Sequence, residues 1–160
     1  GEQGPEGPQG PQGEQGEPGG VLSFADFFAV NESTATANLQ PGEDYPLPED
    51  GANSGNGISR ISETSFRLAE PGSYQVMFCV TTIQTPKLAL TLDGEVLDYS
   101  VAGRPSGGSQ IVGMTIVPTT QPDSVLTLRY PDEESNGEEA VPAENPRIDT
   151  TSHLVIIRLS

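Results

Sequence analysis

The chain has 160 residues, with 23 acidic against 7 basic side chains and a formal net charge of −16 at pH 7. So acidic a surface disfavours nucleic acid and anionic membrane as partners. Its single cysteine, Cys79, excludes an intrachain disulfide, and no apolar run approaches the ~18 residues of a membrane span, so this segment is not expected to insert in a membrane.

The first element is a strict repeat. Glycine stands at Gly1, Gly4, Gly7, Gly10, Gly13, Gly16 and Gly19, with proline at Pro5, Pro8, Pro11 and Pro18, and the next beat falls on Leu22. Glycine at every third position among prolines is the pattern of the collagen triple helix, where only glycine fits at the crowded axis. The pattern therefore calls for three chains, over a length of about 60 Å. Glu2, Glu6, Glu14 and Glu17 have no basic partner inside the repeat, so three aligned copies repel. The repeat is not expected to assemble alone, and the segment that follows is the natural device for holding three chains in register. The boundaries are a stalk at 1–20 and one domain at 21–160, read as the end of a longer collagen-like protein.

After Gly20 short apolar runs alternate with Gly, Pro, Asn and Asp, the texture of an all-β domain. Strands are expected at 21–30, 57–62, 64–69, 72–83, 87–92, 95–101, 109–117, 124–130 and 152–159. The stretch LDGE at 92–95 is a hairpin signal, and AEPGSY at 69–74 reads as a type II turn centred on Pro71 and Gly72. Residues 31–56 and 131–150 read as loops. Eight to ten strands in a domain of this size suggest a two-sheet sandwich or jelly roll.

The strand faces carry the functional signal. A sandwich strand should be apolar on its inner face and polar on its outer one. Tyr74, Val76, Phe78 and Val80 share a face, but Met77 and Cys79 lie opposite. Val155, Ile157 and Leu159 oppose Leu154 and Ile156. Leu22, Phe24, Phe28 and Val30 oppose Phe27. Ile111 and Val117 oppose Val112, Met114 and Ile116. A strand apolar on both faces needs cover on both, one from the core and one from a partner. The residues assigned to the shared surface are Phe24, Phe28, Met77, Phe78, Val112, Met114, Leu154 and Ile156, although periodicity leaves open which face of each strand lines it. The repeat and the strand faces independently call for a homotrimer.

Catalytic chemistry has no constellation here. His153 is the only histidine, which leaves none for a dyad or a metal cluster, and an edge or interface position suits it best. Motifs of the GxSxG, HExxH, CxxC or phosphate-loop kind are absent. Cys79, inside an apolar run, reads as a small core or interface residue. The acidic cluster Asp132, Glu133, Glu134, Glu138, Glu139 and Glu144 lacks the spacing of a calcium loop and reads as a solvated loop. Asn31-Glu32-Ser33 matches the N-glycosylation pattern. No enzyme activity and no cofactor is expected.

FRLAEPGSYQVMF at 66–78 resembles the strand–turn–strand signature of the TNF/complement-head superfamily: an aromatic, a spacer, then Gly-x-Tyr-x-apolar-x-Phe. VLSFADFFAV, AGRPSGGSQIVGMTIV and SHLVIIRLS resemble the C-terminal domains of bacterial collagen-like surface proteins, including the BclA-type exosporium glycoproteins of spore-forming Firmicutes. The resemblance implies a ten-stranded jelly roll in a threefold trimer, with the stalk leaving from the first strand. It also implies a structural role as the exposed tip of an extracellular, spore-surface filament whose head registers the triple helix. The stalk triplets carry Glu and Gln and no Thr, unlike glycosylated spore-surface stalks. Such triplets also occur in phage fibres. The alternative is therefore a receptor-binding or adhesive tip of a phage fibre or bacterial adhesin. A host-surface or glycan ligand would then be met by the loops at 40–57 and 131–150, with Tyr45 and Tyr130 as their aromatics.

Overall fold

The computed structural model describes residues 3–11, 20–31, 39–82, 85–103, 110–132 and 150–160. In chain order the strands are β1 (Ser23–Asn31), β2 (Glu49–Asn53), β3 (Ile58–Arg60), β4 (Ser65–Leu68), β5 (Gly72–Thr81), β6 (Lys87–Leu92), β7 (Glu95–Val96), β8 (Ala102–Gly103), β9 (Gln110–Thr119), β10 (Ser124–Arg129) and β11 (Thr150–Arg158). They form two antiparallel sheets. The first has the order β2-β1-β11-β5-β9, and the second β3-β4-β10-β6-β7 with β8 added on β6. The first and last strands pair over their full length, from Ser23↔Arg158 to Asn31↔Thr150. The chain is an all-β jelly roll of two packed sheets.

The core lies between the sheets. From the first sheet come Ala25 and Phe27, Tyr74, Val76, Phe78 and Val80, Ile111 and Val117, and Leu154 and Ile156. From the second come Phe66, Leu68, Leu88, Leu90, Leu126 and Leu128. Phe27 stacks on Phe66 with centroids 4.2 Å apart. The Arg60 guanidinium lies over both rings, at 5.1 and 5.3 Å, while its Nε donates to Asp50 Oδ1 at 2.8 Å. One arginine thus closes the edge where β2 and β3 approach each other.

Three residues assigned to the shared surface belong instead to this core. Phe78 is 1% exposed and Leu154 and Ile156 are not exposed at all. On β11 the assigned side is the inner one, and on β5 the assignment included both sides, because both faces of these strands are apolar. Bulk and a glycine decide between the sides. Phe78 is opposite Gly113 on β9, and a Cβ there would overlap the Phe78 ring. The large aromatic turns inward because its neighbour has no side chain.

Other expectations also change. Eleven strands form among the described residues where ten were expected. The polar stretch Glu49–Asn53, read as loop, pairs with β1 as a sheet edge. Residues 95–101 are not one strand: after β7 the chain makes a single 3-10 turn at Asp98–Ser100. There the Ser100 hydroxyl donates to Leu97 O at 2.6 Å and accepts from Leu90 N at 2.8 Å, replacing a strand partner. The hairpin at Asp93-Gly94 forms with both residues at positive φ, 50° and 86°, as a two-residue turn between right-twisted strands demands. Pro71 and Gly72 do not centre a type II turn. Gly72 has no positive φ and opens β5. It is glycine because any Cβ would collide with the Ser160 carbonyl. Pro118 sits inside β9, which its place on the sheet edge permits.

In the stalk, Gly4, Gly7 and Gly10 have nothing within 4 Å of the point where a side chain would begin. No crowding within the protomer explains glycine at these positions. Gly1, Gly13, Gly16 and Gly19 lie outside the described residues.

Two measurements check this packing. Gly113→Ala should cost about 1–3 kcal/mol of unfolding free energy by overpacking, and Phe78→Leu in the same chain should recover part of that loss; chemical denaturation of the single and double variants reads both. Tyr74, fully buried, donates its hydroxyl to Glu70 O at 2.6 Å. Burial raises its pKa above the ordinary value of 10.0, with Arg158 opposing. The folded state therefore holds this proton more tightly than the unfolded chain does. The stability this contributes is complete below about pH 10 and is lost as pH rises through the raised folded-state value. Tyr74→Phe should cost about 1 kcal/mol at neutral pH and make the alkaline loss shallower in thermal melts above pH 10.

Candidate self-association face

The outward side of the first sheet is unusual for a protein surface. Strand register places its side chains in rows across β1, β11, β5 and β9. One row is Phe24, Ile157, Gln75 and Ile116. The next is Asp26, Val155, Met77 and Met114. The third is Phe28, His153, Cys79 and Val112. Met114 is 65% exposed, Val112 58%, Ile116 55%, Phe24 42% and Met77 41%. Three inter-strand spacings and about four residues of rise put the outermost Cα positions of these rows roughly 14 Å by 13 Å apart. Scattered apolar residues on a surface need no explanation, but a contiguous patch of this size does.

The few polar groups on the face are turned toward one another. Gln75 Nε2 lies 3.3 Å from Met114 Sδ and Gln110 Nε2 3.1 Å from Cys79 Sγ. Asp26 Oδ1 meets His153 Nδ1 at 2.8 Å, and His153 Nε2 is 3.0 Å from Thr151 Oγ1. The His153 ring stacks on Phe28 with centroids 5.4 Å apart. At the β1 end the face sinks into a hollow of about 440 Å³ lined by Val21, Phe24, Ala25, Asp26, Ala52, Val155 and Ile157. At the β9 end the sheet has no further strand among the described residues. The sequence QIVGMTIVPT of β9 contains no charge, whereas exposed edge strands normally carry one to discourage pairing.

Phe24, Met77, Val112 and Met114 therefore stand on the open face, and half-buried Phe28 lies among them. Phe78, Leu154 and Ile156 do not. The sequence assignment missed Ile116, Val155 and Ile157, although the first two rows are built on them. The signal was present: once one face of β5 and β11 is given to the core, the other follows. His153 stands within β11, which begins at Thr150, rather than at the strand's start. Tyr45 and Tyr130, considered as exposed loop aromatics, are buried, at 1% and 8% exposure. The exposed tyrosine is Tyr99, at 58%, on the 3-10 turn. Residues 133–149, with most of the acidic cluster, lie outside the described residues. Among the described residues no His, Cys, Asp or Glu group is arranged to hold a metal ion, and no helix is long and apolar enough to cross a membrane.

Solved structures share this arrangement of sheets. Murine APRIL superposes with a TM-score of 0.52 at 11% identity, over 85% of this chain and 99% of that one. The globular domain of zebrafish complement 1qA protein gives 0.51 at 14% identity, over 86% and 96%. Rabbit GITRL gives 0.50 at 14% identity, over 87% and 95%. The fold is a TNF/complement-type jelly roll. At this level of identity the likeness concerns the fold alone. No protein-family model matches the chain, and no curated protein sequence matches it.

The two sides of β5 separate cleanly in a paired test. Met77→Glu places a charge on the open face and should leave the fold intact, with unfolding free energy within about 0.5 kcal/mol for the protomer. Phe78→Glu buries an unpaired charge one residue away and should abolish folding. Far-UV circular dichroism and denaturation of both variants decide the facing of the strand.

Proposed function

We propose that residues 21–160 are the self-associating head of a collagen-like fibre, and that three copies meet through the outward face of the first sheet. The observation that carries this reading is the apolar face itself, formed on the same strands as the β1 start where the stalk joins. The stalk supports it from a different direction. Glycines at every third position, uncrowded within the protomer, are explained by two further chains. The resemblance to TNF/complement-type heads implies the same number.

The mechanism is assembly. Covering Phe24, Met77, Val112, Met114, Ile116 and Ile157 removes apolar surface from water, at about 25 cal/mol per Å². That gain offsets the repulsion between acidic chains and holds three stalk strands at one level. The triple helix, whose triplets here carry unpaired glutamate, then needs only to zip from a fixed end. The function is structural, with no catalytic step. The resemblance of VLSFADFFAV and SHLVIIRLS to bacterial collagen-like proteins extends the proposal to the exposed tip of a filament on a spore surface or another extracellular surface. The aromatics that the adhesive-tip alternative drew on, Tyr45 and Tyr130, belong to the core, so that reading would have to rest on other residues.

Light scattering on the full chain and on 21–160 tests the assembly. Both are expected to have three times the mass of one chain, and Met114→Glu to reduce the trimer fraction at least tenfold at equal concentration. A monomeric 21–160 beside a trimeric full chain would assign assembly to the stalk instead. Monomers in both would overturn the proposal.

A further inference from the structure

The proposed contact face contains one ionisable pair, and its position has a consequence for assembly. Asp26 and His153 stand on β1 and β11, at the β1 side of the apolar rows, 2.8 Å apart, with side chains 29% and 37% exposed in the protomer. Val155, Met77 and Phe28 surround them by register and stacking. The groups facing them from neighbouring strands are few. β5 presents Cys79 opposite His153. β2 presents Glu49 opposite Phe28, while its Asp50 is engaged by Arg60. The outward positions of β1, β11, β5 and β9 carry no lysine or arginine among the described residues.

We infer that assembly through this face is coupled to protonation of His153, so that the trimer is favoured at mildly acidic pH and weakens as pH rises. The inference rests on the assembly reading above and concerns its regulation. With a neutral imidazole, each protomer brings an uncompensated Asp26 carboxylate into a contact that excludes water. Burying an unbalanced charge is costly. With an imidazolium, the same hydrogen bond becomes a balanced ion pair, and removal of one partner's charge is what such a buried pair tolerates least. The surroundings act in the same direction, because three copies of a chain of formal net charge −16 approach one another. The assembled state therefore holds the proton more tightly than the separate protomers do. Its advantage is present where the imidazole is protonated and is lost as pH rises. Carboxylate titration also favours assembly of an acidic chain, but at pH 4–5, a separate window.

The test is the trimer–protomer dissociation constant of the full chain by sedimentation between pH 5.5 and 8, beside His153→Gln and Asp26→Asn. His153→Gln retains a hydrogen-bond donor toward Asp26 without a titrating group. The natural chain should dissociate more readily with each pH step, by up to about tenfold per protomer per unit at the steepest point. His153→Gln should be flat over this window, whereas Asp26→Asn, which leaves an unpaired imidazolium at low pH, should reverse the dependence and hold the trimer more tightly than the natural chain at pH 8. A trimer indifferent to pH in this range, or one whose pH dependence survives in His153→Gln, would overturn the proton coupling and leave the assembly reading intact. A natural chain that is monomeric at every pH would overturn both. If Asp26→Asn fails to fold by circular dichroism, His153→Gln alone decides.

Discussion

The pairing of β1 with β11 is the constraint from which the rest follows. Nine consecutive residue pairs join the first strand of the head to the last. They put both ends of the domain at the centre of one sheet, with β2 outside β1 and β5 outside β11. The point where the stalk enters is thereby fixed beside the C-terminal residues, where Leu22 N donates to Arg158 O at 3.0 Å. Gly72 belongs to the same arrangement, since its missing side chain lets the Ser160 carbonyl reach the start of β5.

A sheet with both ends of the chain at its centre has two long faces, and both are apolar. The inner one is satisfied within the protomer by the leucines and Phe66 of the second sheet. The outer one is flat and lacks such cover. The two differ in side-chain shape more than in hydrophobicity. Tyr74, Phe78 and Leu154 fill a close-packed interior, where each contributes many dispersion contacts. Met77, Met114, Val112 and Ile116 are flexible or compact groups of the kind suited to a surface that must meet another surface. The second sheet's outward side is different again. Its Thr91 and Thr127 hydroxyls bond to each other, and Thr127 also reaches Asp44, which pairs with Arg129 at 2.8 Å. Polar groups there are mutually satisfied beneath the chain segment around Asp44, so this face makes no comparable demand for a partner.

The open face is thus a hydrophobic surface with one charge-bearing position, the Asp26–His153 pair. Under the proposed assembly, that pair is the one place where the contact would respond to protonation, and it would do so without any movement of the backbone.

Much of this was legible in the residues. The glycine period, the all-β texture, the Asp93-Gly94 hairpin and the two apolar faces of 72–83 and 152–159 are local patterns, set by backbone sterics and by the two-residue period of a strand. It was also legible that a strand apolar on both sides leaves one side without cover from a single core. Which side met the core did not follow. Phe78, Leu154 and Ile156 pointed inward because Gly113 sits opposite Phe78 and because Phe66 and the leucines of the second sheet fill the space beneath, and both facts depend on residues far away in sequence. For the same reason Glu49–Asn53 became a strand only by lying against β1, and Asp26 met His153 only because β1 and β11 pair. The sequence by itself determined the period, the class and the existence of two apolar faces. The tertiary structure decided which face is core, since that choice is made by contacts between strands and not within them.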